Sequence, residues 1–218
     1  MDYYKEGEQF YLNNEYMKAL KCFKLNYDNG YSNDTLNYIA CCYINLGNFI
    51  EAKKTLMELI MRTNWERPLF NLGRVYLMEE DYSNAEKYFK LALEKNYQNC
   101  DCHFYMGLYY DRKGDINHAI EYYNNSLQLE NCQPETHLNI GICYYKIHLY
   151  QQAIKHFLIS YEQDDTLVEA RYYHAISLIT IRKYNEALQI LFELENAKYN
   201  IVNLKNDIEY CMNKINKI

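Results

Sequence analysis

Side chains that can hold a polypeptide lie on one face of a single predicted helix. Arg67, Asn71 and Arg74 are spaced at i, i+4 and i+7, so a helix places them together. A guanidinium can grip a carboxylate with two hydrogen bonds. A side-chain amide both donates to and accepts from a peptide backbone. The chemistry that this spacing indicates is therefore the binding of a polypeptide.

The position of Asn71 recurs along the chain at intervals of 33 or 34 residues. From residue 38 onward an amide or a tyrosine occupies it, at Tyr38, Asn71, Tyr105, Asn139 and Tyr173. Tyrosine offers contact area and a hydroxyl at low entropic cost, as in other recognition surfaces. A solvated helix face, with tyrosines made abundant by codon usage, is the alternative interpretation.

Cysteine and histidine do not form a metal-binding motif in the sequence. Cys41 and Cys42 are adjacent, so a helix points them about 100° apart. Cys102 is followed by His103, but the chain has no C-x-x-C pair. We therefore expect free structural thiols, no metal site and no cofactor. Whether Cys100 and Cys132, which flank one repeat, approach each other is left open.

Catalytic motifs are also missing from the sequence. The chain contains no glycine-rich phosphate loop, no G-x-S-x-G and no H-E-x-x-H. The carboxylates of Glu79–Asp81 and Asp164–Asp165 fall at predicted helix ends, where solvated charge and caps are common. We assign no catalytic residue and expect a protein that is not an enzyme.

The candidate binding residues lie within a sequence pattern that is repeated along the chain. Each copy has a small residue and, twelve residues later, an alanine, and successive alanines lie 33 or 34 residues apart. The small residues are Gly7, Ala40, Gly73, Gly107, Gly141 and Ala175, and the alanines are Ala19, Ala52, Ala85, Ala119, Ala153 and Ala187. This pattern predicts pairs of helices in which a small residue meets an alanine, at an interaxial distance of roughly 8–10 Å.

Three runs within these units resemble the tetratricopeptide repeat, a helix–turn–helix unit of 34 residues. They are Leu72-Gly73-Arg74-Val75-Tyr76, Met106-Gly107-Leu108-Tyr109-Tyr110 and Ile140-Gly141-Ile142-Cys143-Tyr144. The resemblance implies an all-α right-handed superhelix, or α-solenoid, of six repeats followed by a capping helix. The predicted repeats span about 1–32, 33–65, 66–99, 100–133, 134–167 and 168–200, and the cap spans 201–218.

The resemblance also implies a concave groove, lined by the first helix of each repeat, that binds a peptide or protein segment. The groove residues that it implies are Asn37, Tyr38, Arg67, Phe70, Asn71, Arg74, Phe104, Tyr105, Arg112, Asn139, Lys146 and Tyr173. One subfamily clamps a C-terminal carboxylate with lysine, asparagine and arginine. Here Tyr4 and Glu8 replace the first lysine and asparagine, and Asn71 replaces the arginine, so we reject that type of clamp.

Charge and composition narrow the class of partner. The net charge of −6 argues against nucleic acid and anionic membranes, which need a basic face. The start, MDYYKEGEQF, lacks the order of a secretion signal, and no apolar run reaches about 18 residues. We expect a cytoplasmic adaptor of undefined oligomeric state. A regulator that closes around a signalling peptide and, less favoured, a helical-repeat nucleic-acid binder are the alternatives.

Overall fold

The computed structural model describes residues 2–30 and 32–217, which form thirteen helices and no strand. The helices are α1 (Tyr3–Leu12), α2 (Tyr16–Asn29), α3 (Asn33–Asn45), α4 (Phe49–Arg62), α5 (Arg67–Met78), α6 (Tyr82–Lys95), α7 (Cys100–Arg112), α8 (Ile116–Leu129), α9 (Pro134–Lys146), α10 (Tyr150–Gln163), α11 (Val168–Thr180), α12 (Tyr184–Asn196) and α13 (Leu204–Ile215). Met1, Tyr31 and Ile218, which the predicted repeats and cap include, lie outside the described residues. The all-α prediction is confirmed.

The chain divides into two compact units, and the division falls within α7, between Tyr105 and Met106. In both units helices pack against their neighbours in the sequence, as α5 does against α4 and α6, and α10 against α9 and α11. Odd-numbered helices α1 to α11 are the first helices of the pairs, and even-numbered helices α2 to α12 are the second helices. This local packing is what a chain of helical repeats requires, because each repeat buries its apolar surface on a neighbouring repeat.

The same turn joins the two helices of all six pairs. Its left-handed residue is glycine in two pairs, at Gly47 and Gly114. In the other four it is Asn14, Glu80, His148 or Arg182, with φ between 59° and 65°. The next amide donates back across the turn, as Asp81 does to the carbonyl of Tyr76 at 2.9 Å. These bonds satisfy carbonyls that a helix end would otherwise leave unpaired.

We expect Glu80→Gly to stabilise the protein by about 0.5–1 kcal/mol. A left-handed conformation costs a residue with a side chain roughly 1–2 kcal/mol, and the extra freedom of glycine in the unfolded chain offsets about half of that gain. Urea unfolding followed by circular dichroism measures the effect. Gly47→Ala, at the equivalent turn, should shift the midpoint in the opposite direction. An unchanged or lowered midpoint for Glu80→Gly would contradict this interpretation of the turn.

The close contact within a helix pair differs from the one that the sequence suggested. In the first unit, a Cβ added to Gly73 would lie 2.6 Å from Cδ1 of Phe89, and one added to Gly7 would lie 2.8 Å from Cε1 of Phe23. In the second unit, Tyr123 and Phe157 press equally closely on Gly107 and Gly141. The nearest neighbour of each glycine is therefore an aromatic ring of the second helix, not the predicted alanine. The alanines are buried, but beside this contact.

The two pairs without a glycine support this correction. Ala40 and Ala175 stand where the other four pairs have glycine. Sixteen residues later these two pairs carry Leu56 and Leu191, both fully buried, where the others carry phenylalanine or tyrosine. A ring thus accompanies glycine and a smaller leucine accompanies alanine. The combined volume of the two side chains is therefore roughly constant, as close packing requires.

The last helix packs on the pair before it. Leu204, Ile208 and Cys211 are buried in one cluster with Leu191 and Leu194 of α12. The helix begins at Leu204, so Ile201, where the predicted cap begins, precedes it. Met212, on the same helix, is exposed.

Candidate functional site

Tyrosines of the first helices form an aromatic cluster in the first unit. The ring of Tyr38 stacks on Phe23 with centroids 4.7 Å apart, and the edges of Tyr4 and Tyr11 approach it at 5.8 and 5.5 Å. The Tyr38 hydroxyl donates to Oε1 of Glu8 at 3.1 Å. Burial, and then this hydrogen bond, raise the pKa of Tyr38 to about 12. The ring is therefore fixed and its hydroxyl is neutral at pH 7.

Arg74 lies on the same side of the first unit, held by aromatic rings. Its guanidinium carbon is 4.9 Å from the ring centroid of Tyr105 and 5.7 Å from that of Phe70. Nη1 donates to Oδ1 of Asn71 at 3.2 Å, and the amide of Asn71 in turn donates to Sγ of Cys41 at 3.6 Å. Stacking and hydrogen bonding together hold the guanidinium plane in one orientation.

Nε of Arg74, a donor, and Oδ1 of Asn37, an acceptor, are buried and have no hydrogen-bond partner among residues 2–30 and 32–217. A buried polar atom left unpaired costs roughly 1–3 kcal/mol, so folded proteins rarely retain one without a reason. The chain itself therefore does not use the full hydrogen-bonding capacity of these two side chains.

The structure separates the predicted residues of the first unit into two groups. Asn71 is 5% exposed and Phe70 is 8% exposed, so their side chains hold Arg74 in position. Arg67 is exposed, and Asn37, Tyr38, Phe104 and Tyr105 are partly exposed. Helical spacing placed Arg67, Asn71 and Arg74 on one face, but it could not show how deeply the neighbouring helix α3 covers the middle residue.

In the second unit, two first helices are joined by an ion pair, and a tyrosine of another first helix stacks on a phenylalanine. Nζ of Lys146 contacts both carboxylate oxygens of Asp111, at 2.6 and 2.9 Å. Tyr173 stacks on Phe157 with centroids 5.6 Å apart, which repeats the arrangement of Tyr38 on Phe23. Arg112 is exposed and Asn139 is partly exposed. Lys146 thus already has an anionic partner in the free chain.

A cavity of about 460 Å³ lies beside Tyr173, between α11 and the start of α13. Tyr172 and Tyr173 line it, together with Ile176, Val202 and Asp207. The Tyr172 hydroxyl donates to Oδ2 of Asp207 at 2.7 Å. Burial and this carboxylate raise the pKa of Tyr172 well above its ordinary value. The cavity offers aromatic surface and two carboxylates, those of Glu169 and Asp207, to a ligand.

Sequence reasoning missed one polar contact in the second unit. The Nδ1 atoms of His137, on α9, and His156, on α10, are 3.1 Å apart. The ring of Tyr144 packs on His156 at 5.5 Å. Burial, and then the neighbouring imidazole, lower the pKa of His156 to about 4, and burial also lowers that of His137. Aligning the repeats would have revealed the pair, because only the fifth has histidine at both positions.

All eight cysteines carry free thiols, Cys100 and Cys132 included. Across the part of the chain that the structure describes, no three or more His, Cys, Asp or Glu residues are grouped as metal ligands. Over the same residues, no helix has the length and apolar character that crossing a bilayer requires.

A sequence profile of the tetratricopeptide repeat matches residues 34–63, 66–99 and 102–131. No curated protein matches the chain. Among solved structures it is similar to pilF of Pseudomonas aeruginosa, at 15% identity and a TM-score of 0.78, over 94% of each chain. It is also similar to TTC0263, a TPR protein of Thermus thermophilus, at 20% identity and a TM-score of 0.71, over 81% of this chain and 97% of that one.

A third similar structure is that of the APC/C hetero-tetramer Cut9–Hcn1. The identity is 15% and the TM-score is 0.83, over 96% of this chain and 42% of the matched chain. At such low identities these similarities show the fold alone. That fold is an all-α helical repeat, in agreement with the thirteen helices described above.

Proposed function

Since the chain belongs to the tetratricopeptide repeat family, we propose that it is a non-enzymatic adaptor that binds a peptide or protein segment in the groove lined by its first helices. The observation that supports this proposal is the environment of the Arg74 guanidinium. Its guanidinium lies against the rings of Tyr105 and Phe70 and donates through Nη1 to Asn71, while the side chain stays partly exposed. An arginine fixed in this way is prepared for an oxygen atom from outside the chain.

A polypeptide can pair with two partly exposed polar side chains of the first unit. Its carbonyl, or an acidic side chain, offers an acceptor to the guanidinium of Arg74, and its backbone offers a donor and an acceptor to the amide of Asn37. The neighbouring rings of Tyr4, Tyr11 and Tyr38 offer apolar area for side chains of the same segment. Aromatic residues and arginine are the residue types that contribute most to the stability of protein interfaces.

The protein assembly in one similar structure is consistent with this proposal. The APC/C hetero-tetramer Cut9–Hcn1 contains a chain of this fold. The proposal extends to this chain only the general role of binding another protein. Binding by the second unit is part of it, through Tyr172, Tyr173 and the cavity that they line.

Affinity capture with the full chain as bait tests the proposal. Arg74→Ala with Asn71→Ala removes the guanidinium and the amide that orients it. Lys87→Ala is the matched control, because Lys87 also lies over a ring, that of Tyr88 at 5.4 Å, but on the second helix α6. We expect a protein captured by the wild type and by Lys87→Ala to be lost with the double variant. Equal capture by the double variant, or nuclease-sensitive capture, would contradict the proposal.

A further inference from the structure

The two histidines between α9 and α10 are not needed to build a repeat. The positions of His137 and His156 are occupied by Leu69 and Tyr88 in the third repeat. They are occupied by Leu36 and Thr55 in the second and by Arg171 and Ile190 in the sixth. Each of these pairs of helices forms with the same turn. The fold therefore does not require the imidazole pair, and its presence calls for a functional explanation.

The two nitrogens are close enough to share a ligand once the rings turn. In the metal-free chain they face each other almost head-on, because the ring centroids are 5.3 Å apart. A metal ion bound to two imidazoles at about 2.0–2.1 Å holds their nitrogens roughly 2.9 Å apart at a right angle and roughly 3.3 Å apart at a tetrahedral angle. The observed Nδ1–Nδ1 distance of 3.1 Å lies between these values. Both rings are partly exposed, so an ion and its water ligands can reach them.

We propose that Nδ1 of His137 and Nδ1 of His156 together bind a divalent transition-metal ion of the Zn²⁺, Ni²⁺ or Cu²⁺ class. Imidazole is a ligand that these ions prefer, whereas Mg²⁺ and Ca²⁺ require oxygen. In the described part of the chain no third ligand joins the pair, so water completes the coordination. In the metal-free chain one Nδ1–H donates to the other ring. Metal binding moves that proton to Nε2 of the same ring, and the net charge of the imidazoles does not change.

The consequence of binding is a cross-link between α9 and α10. An ion that binds only the folded chain raises the folding equilibrium constant by a factor of 1 + [metal]/Kd, which is about 100 when the metal is in 100-fold excess over Kd. The affinity should follow the general order for nitrogen ligands, in which Cu²⁺ binds more tightly than Ni²⁺ or Zn²⁺. This site belongs to a single helix pair, so it does not depend on the proposed peptide groove.

Titration of the full chain with ZnCl₂ under reducing conditions tests the proposal. Nitrogen NMR spectra of chain labelled with ¹⁵N-histidine identify the rings that bind, and calorimetry gives the stoichiometry. We expect one ion per chain, with shifts confined to His137 and His156. The variants His156→Tyr and His137→Leu introduce the residues that the third repeat carries at these positions, and circular dichroism verifies that each stays helical. Each should weaken binding about tenfold or more.

Two further variants serve as controls. His118→Asn removes an imidazole that pairs with Asp115, and Cys132→Ser removes an exposed thiol. Both should bind Zn²⁺ as the wild type does. The proposal is overturned if His137 and His156 do not shift, if helical His156→Tyr and His137→Leu bind as tightly as the wild type, or if binding is lost with Cys132→Ser.

Discussion

Gly73→Ala should lower the free energy of unfolding by about 1–3 kcal/mol, although alanine is the better helix former. The added Cβ would lie 2.6 and 2.7 Å from two ring atoms of Phe89, which is fully buried. The gain in helix propensity is about 1 kcal/mol, and a ring in a close-packed core has no free space to move into. The steric overlap therefore outweighs the propensity.

Chemical denaturation of a double-mutant cycle measures this effect and its cause. Phe89→Leu alone should destabilise by about 1–3 kcal/mol, because it leaves space beside Gly73. In Gly73→Ala/Phe89→Leu the two losses should not add, since Ala40 and Leu56 already stand at these positions in the second repeat. Gly30→Ala is the control, because nothing lies within 4 Å of its added Cβ. Additive losses would show that the ring and the glycine are not coupled.

Arg74→Ala should weaken the binding of the captured partner by about 10–100-fold, the effect of a central interface residue. The substitution removes the guanidinium that lies on the Tyr105 ring and leaves Asn71 Oδ1 without its Arg74 donor. Arg74→Lys should lose much of the same affinity, because an ammonium has neither the plane that stacks on Tyr105 nor a second parallel donor.

Isothermal titration calorimetry with the purified partner measures these affinities. Circular dichroism of each variant verifies that the helices are retained. Lys87→Ala, on α6, should bind as the wild type does. If Arg74→Ala binds within about twofold of the wild type, this arginine stabilises the fold but does not bind the partner.

Much of the fold could be predicted from the sequence, because a repeated pattern multiplies a weak local signal. The spacing of small residues and alanines predicts an all-α chain, and the structure confirms it. The ring that lies on each glycine was also visible in the sequence, sixteen residues later. The sequence alone does not identify that ring as the contact, because periodicity gives the face of a helix and not the neighbour across it.

Less of the candidate site could be predicted, because burial depends on how neighbouring helices cover a face. Asn71 has the spacing of a groove residue, but α3 covers it, and its amide contacts Cys41. His137 and His156 lie nineteen residues apart on different helices, so no sequence motif joins them. Both cases depend on contacts between helices, which spacing along a single helix does not determine.

Oxidative footprinting of methionines in the partner complex tests the central claim most directly. Met78, 49% exposed on α5, continues the spacing of Arg67, Asn71 and Arg74, whereas Met17 and Met61 are exposed on the second helices α2 and α4. If the first helices bind the partner, oxidation of Met78 should fall in the complex while Met17 and Met61 react as in the free chain. Protection of Met17 or Met61 with Met78 unchanged would place the partner on the second helices and contradict the account.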